Sequence, residues 1–189
     1  VSDKRGANSK IEGKQGTRMR SYFILMMCIL LLGCSNDVDR DAQPDHIQLE
    51  DGGSVTATKQ VGEYLLRLVV HPAGENTYMF QSGMKYVGMD TSHTIAHSKH
   101  VFMVDIQANG ESILPPRTTT NIGLTTELTN EDWYTERYKI TLTQEQLKKM
   151  DGSEANIVLH AHFQGGQSGY EDEKKMILSA SQALLQEEE

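Results

Sequence analysis

Apolar residues recur at every second position in four separate stretches of this chain. Tyr64, Leu66, Leu68 and Val70 alternate within Glu63–His71, and Phe102, Val104 and Ile106 within His100–Ala108. Tyr138, Ile140 and Leu142 form a third set, and Ile157, Leu159, Ala161 and Phe163 a fourth. A period of two is that of a strand with one buried face. Turn signals separate the stretches. Asn109-Gly110 predicts a hairpin with a return over Glu111–Leu114, and Pro115-Pro116 ends that return. The Thr-rich segment Thr118–Leu128 predicts an exposed strand, and Gly165-Gly166 through Gly169 a loop. Thr143 and Gln146 have the spacing of a capping box for one or two helical turns that end at Asp151-Gly152. Near the end, Met176–Ser181 reads as a last strand, with helix over Lys174–Gln186 as the alternative.

About seven short strands at even spacing with one short helix predict a mainly β fold, an immunoglobulin-like antiparallel β-sandwich. The Cys…Trp…Cys arrangement of true immunoglobulin domains is absent. A length of 189 residues suits one such domain, placed at 54–189. The two cysteines, Cys28 and Cys34, rule out a disulfide-dense scaffold and a four-cysteine zinc site. The formal net charge of −8 argues against nucleic acid as a partner.

That charge is unevenly spread. Residues 1–33 hold six bases and two acids, leaving a net of −12 on residues 34–189. The basic part runs into the apolar stretch Ser21–Gly33, which has the length of a signal-peptide core and is short for a membrane-spanning helix. It ends in Leu31-Leu32-Gly33-Cys34-Ser35. This segment resembles the lipobox of bacterial lipoproteins. The resemblance implies cleavage before Cys34 and a lipidated Cys34 thiol that anchors the mature chain to a membrane. It further implies a location in the bacterial cell envelope, outside the cytoplasm; Ser35 favours an outer membrane facing the periplasm where the cell has one. Residues 19–33 are then the signal peptide, with Met19 as the natural start, and residues 1–18 an upstream extension. With Cys28 removed and Cys34 acylated, no free thiol remains for catalysis. Residues 34–53 are acidic and hold almost no aliphatic side chains, which predicts a flexible tether.

Enzyme motifs are missing. The chain has no Gly-x-Ser-x-Gly, no phosphate-binding glycine loop, no dinucleotide fingerprint and no His-Glu-x-x-His, so a non-enzymatic role is expected. Histidine and methionine are clustered instead. His93, His97 and His100 fall within eight residues, Met84 and Met89 lie just before them, and His71 ends an earlier strand. Imidazole is the commonest protein ligand for copper and zinc, and a thioether suits Cu(I). On a helical turn, spacings of four and three would bring the three histidines to one side. In an extended segment His93 and His97 would face one way and His100 the other, which breaks the triad. His160 and His162 share the outward face of their strand, where solvation accounts for them without a metal. Trp133-Tyr134 reads as a pair packed over a sandwich edge, or as an exposed contact for a partner or sugar.

Tyr64–His71 followed by Ser92–Asp105 resembles small periplasmic sandwich domains in which a His-bearing segment enters a strand reading apolar-x-Val. Some such domains are associated with metal handling; the resemblance assigns no ligand. The expectation is a lipid-anchored binding protein with a copper or zinc site built from His93, His97, His100, Met89, Met84 and His71. The alternative is a non-catalytic envelope module that presents a sandwich face or edge to a protein partner.

Overall fold

The computed structural model describes residues 40–116, 123–165 and 171–184. Two antiparallel sheets pack face to face, and their inner rows form one continuous apolar core. The first sheet has the order β1 (His46–Glu50), β2 (Ser54–Val61), β3 (Tyr64–Gly74), β4 (Thr77–Tyr86) and β9 (Tyr134–Thr141). The second contains β5 (Ser92–His97), β6 (Phe102–Ala108), β7 (Glu111–Ser112), β8 (Leu124–Thr129), β10 (Ala155–Gly165) and β11 (Glu171–Ser179).

β10 organises the second sheet. One of its edges pairs with β11 over Asn156–Gln164, and the other is shared end to end by β6, opposite Ala155–Ala161, and β5, opposite Gln164 and Gly165. The break between β5 and β6 is bridged by the His162 N–H, which donates to the Val101 carbonyl at 2.8 Å. β7 and β8 flank β6 and β5.

The alternation in the sequence is the alternation of burial. Tyr64, Leu66, Leu68 and Val70 face inward from β3, Phe102, Val104 and Ile106 from β6, and Ile157, Leu159, Ala161 and Phe163 from β10. The hairpin at Asn109-Gly110 has positive φ at both residues (51° and 82°), the conformation that favours this dipeptide. The capping box also forms: the Thr143 hydroxyl accepts from the Gln146 N–H, the Gln146 side chain accepts from the Thr143 N–H, and helix α1 (Gln144–Met150) follows.

The chain end at Met176 is strand, as β11, because Met176 and Leu178 find places in the core opposite Leu159 and Ile157. A four-residue helix, α2 (Ala180–Ala183), closes it and buries Ala180 and Ala183. Of the segment expected as a tether, 34–53, residues 40–53 are described and carry regular structure. A short 3₁₀ turn spans Arg40–Ala42, Ala42 packs with Val158 and Ile177 on the outer side of the second sheet, and β1 pairs with β2. β1 escapes a composition-based reading because all five of its side chains are exposed and only backbone pairing places it. The expected strand at Thr118–Leu128 begins at Leu124; residues 117–122, the loop residues 166–170, and the signal-peptide and lipobox segment lie outside the described residues. Among the described residues no helix is long and apolar enough to cross a membrane.

Candidate metal centre on the outer face of the second sheet

Inward packing of Ile157, Leu159, Ala161 and Phe163 forces Val158, His160 and His162 to the opposite face of β10. The two imidazoles stack there with centroids 5.7 Å apart and planes 9° from parallel. On the neighbouring strand Glu173 stands opposite His162 and Lys175 opposite His160. The Glu173 carboxylate reaches diagonally, and its Oε1 lies 2.6 Å from His160 Nδ1. One ligand atom from each of His160, His162 and Glu173 lies within 4.8 Å of the others, and this is the one such trio of histidine or acidic side chains among the described residues.

The electrostatics fix the protons. The hydrogen bond from His160 holds the Glu173 carboxyl below its ordinary range; the charges of His160, His162 and Lys175 add to this, and partial burial opposes it. An ionised carboxylate only accepts, so His160 Nδ1 carries the hydrogen in this contact. An ion that takes both Glu173 and His160 as ligands would take the place of this hydrogen, with the proton moving to Nε2 or to water. His160 is held, with its side chain 16% exposed, whereas Glu173 is 51% exposed. A tetrahedral zinc places its ligand atoms about 3.4 Å apart, so the two half-buried imidazoles and the exposed carboxylate must draw closer to close this set.

His160 also borders a shallow groove of about 270 Å³, together with Met103, Asp105, Leu114, Pro115 and Pro116. Met103 is opposite His160 in the β6–β10 register. Asp105 is fixed by the Ser112 hydroxyl at 2.6 Å and the Gln107 amide at 3.0 Å.

The six residues singled out from the histidine and methionine clustering are not brought to one point. Residues 92–97 are extended, so His93 and His97 are separated by about 13 Å along β5. His93 packs between the sheets, stacked on Tyr86 at 5.3 Å, with its Nε2 buried and without a hydrogen-bond partner. His97 is buried, and both ring nitrogens are engaged, Nδ1 with the Ser98 carbonyl at 2.6 Å and Nε2 with the Thr126 hydroxyl at 2.8 Å. His100 is exposed at the β5–β6 corner, 3.2 Å from Glu136. Met84 is fully buried in the core, whereas Met89 is fully exposed on a loop. His71 lies on the outer face of the first sheet, bonded to the Ser54 hydroxyl at 2.8 Å. The extended alternative weighed for residues 93–100 is adopted over Ser92–His97, and a corner at 98–101 follows before β6.

The pair His160 and His162 was legible as one face of a strand. Glu173 was not, since it joins them only through the β10–β11 register, which sets which acid arrives. Trp133 is half-buried over the first sheet rather than presented to solvent, with the Arg67 guanidinium 4.1 Å from its ring centre. Compared with family models, curated proteins and solved structures, this chain matches none.

Proposed function

We propose that this protein is a lipid-anchored, non-catalytic binding protein of the cell envelope that holds a divalent transition metal through His160, His162 and Glu173. The observation that carries the metal reading is the convergence of two imidazoles and one carboxylate within 4.8 Å across two paired strands. Two nitrogens and one carboxylate oxygen favour Zn(II) or Cu(II) over Cu(I); Met84 and Met89 add no thioether, and the one that stands opposite His160 belongs to Met103. The anchor reading rests on the sequence Leu31-Leu32-Gly33-Cys34 behind its basic and apolar segments.

Calorimetric titration of the protein with Zn(II), Cu(II) and Cu(I) tests the site. One divalent ion per chain is expected, with binding lost in His160→Ala/His162→Ala and retained in His93→Ala/His97→Ala if the latter variant folds. Equal binding by wild type and His160→Ala/His162→Ala overturns the assignment. The anchor is tested separately by mass spectrometry of the membrane-extracted protein, where an N-terminal acylated Cys34 is expected and an unmodified Cys34 overturns it.

The envelope-interaction reading has its own support. Ile47 and Leu49 are 44% and 62% exposed on a strand that has one unpaired edge among the described residues.

A further inference from the structure

Most sheet edges in this fold carry the charges that discourage pairing with another chain. β9, at one edge of the first sheet, exposes Arg137 and Lys139. β11, at an edge of the second, carries Glu173, Lys174 and Lys175. β8 carries Glu127, and β7 is two residues long with Pro115-Pro116 close behind it. β1 differs. It carries one acid, Glu50, at its end, but its centre is Ile47-Gln48-Leu49, and the strand holds no lysine, arginine or proline. Every one of its side chains is exposed, and among the described residues it pairs with β2 alone.

The strand is also complementary to itself. Laid antiparallel against a second copy with Gln48 on the two-fold axis, His46 stands opposite Glu50 and Ile47 opposite Leu49. Glu50 already accepts the Thr56 hydroxyl at 2.6 Å through Oε1, which leaves Oε2 for an incoming donor. The alternation of backbone groups along a strand is symmetric about Gln48, so this register satisfies the ladder whichever set of N–H groups points outward. Ile47 and Leu49 stand opposite Ala57 and Val55, on the core side of the first sheet, yet remain exposed. Two copies would bring four such side chains together over the join.

We infer that β1 is a homotypic docking edge: two copies of this chain pair antiparallel through His46–Glu50 about Gln48, joining their first sheets into one. The surface is small against the ~1,200–2,000 Å² of a standard interface, so the dimer is weak in solution and is favoured where chains are concentrated on a surface. The inference is independent of the metal centre, which lies on the other sheet.

Disulfide trapping in the full chain tests it, with Cys28→Ser and Cys34→Ser removing the native thiols. Opposed residues in an antiparallel pair lie within disulfide reach, whereas residues four positions out of register are about 13 Å apart. Gln48→Cys is expected to form a covalent dimer alone. His46→Cys and Glu50→Cys are expected to do so only when mixed. In sedimentation equilibrium, Leu49→Lys, which sets lysine at two symmetric positions of the join, is expected to raise the dimer dissociation constant roughly tenfold or more. Its exposed position keeps the fold, checked by an unchanged thermal transition. A chain that stays monomeric and uncross-linked overturns the inference. So does cross-linking as efficient for His46→Cys alone as for Gln48→Cys, or a dimer unaffected by Leu49→Lys.

Discussion

Glu136 of β9 accepts a hydrogen bond from the backbone N–H of Val101 across the sandwich, at 2.8 Å. This carboxylate ties the first sheet to the corner where β5 becomes β6 in the second. It also accepts from the Tyr134 hydroxyl at 3.0 Å and from His100 at 3.2 Å, and it shares the Tyr138 hydroxyl with the Phe102 carbonyl, 2.6 Å from that oxygen. Its side chain is only 11% exposed, so water cannot replace these partners fully. Removing it leaves several donors short of an acceptor, each costing about 1–3 kcal/mol where burial is complete. Glu136→Ala is therefore expected to lower stability by roughly 2–4 kcal/mol, and Glu136→Gln by less, since its amide oxygen still accepts. Urea denaturation followed by circular dichroism checks this; a change below about 0.5 kcal/mol in Glu136→Ala would mean the bridge is dispensable.

This bridge also marks how far the sequence could be read. The core rows of β3, β6 and β10 are uninterrupted aliphatic or aromatic alternations and announce themselves. β4 does not, because its inner row Phe80, Ser82, Met84, Tyr86 includes a buried serine. β2 hides for a similar reason: Lys59 occupies an inner position, with its ammonium donating to the Gln43 carbonyl at 2.9 Å. Within β9, Glu136 holds an inward position flanked by Tyr134 and Tyr138, and a carboxylate there reads as exposed until its partners Val101, Tyr134, Tyr138 and His100 are seen. The candidate site follows the same rule. Residues two apart on one strand could be paired by inspection, but the acid that completes them depends on strand register.

Met84 and Met89 were grouped by sequence proximity, and the structure separates them completely. Met84 is a core side chain of β4 with no exposed surface, while Met89 is fully exposed. Met84→Ala is expected to cost about 2–5 kcal/mol through lost burial and the cavity left behind, whereas Met89→Ala is expected to stay within about 0.5 kcal/mol. Thermal unfolding separates the two. Met84→Leu, which keeps most of the volume, is expected to leave metal stoichiometry unchanged; loss of the ion in that variant would return the thioether to the ligand set.

The single tryptophan gives a local probe of the first sheet's outer face. Trp133 lies close over Gly83, where an added Cβ would fall 3.2 Å from its Cε3 atom. Arg67 stacks on the ring at 4.1 Å, and Lys85 stands 5.4 Å away. Burial pushes the Arg67 guanidinium below its usual range and nearby Glu50 opposes that. Arg67→Ala is expected to remove a cation–π contact worth about 0.5–1 kcal/mol and to shift tryptophan emission to longer wavelength as water reaches the ring. Emission unchanged in that variant would show that the guanidinium does not shield the ring. Gly83→Val, which forces the ring away from the sheet, is expected to produce the larger shift.

Tyr134 makes the fold sensitive to alkali. Burial raises its hydroxyl pKa well above the ordinary value of 10.0, and the charge of Glu136 and the hydrogen bond to it raise it further. A tyrosine whose pKa is raised on folding is held in its protonated form by the native state. Its contribution is fully present below the unfolded value near pH 10 and is lost progressively as pH rises from there toward the folded value. Stability is therefore expected to decline above about pH 10, and the decline is expected to be shallower in Tyr134→Phe, which has no proton to lose. Denaturant midpoints measured from pH 8 to pH 11 for the two proteins check this. Parallel curves would mean that Tyr134 ionises in the native state as readily as in the unfolded chain, and that the Glu136 hydroxyl contacts do not hold its proton.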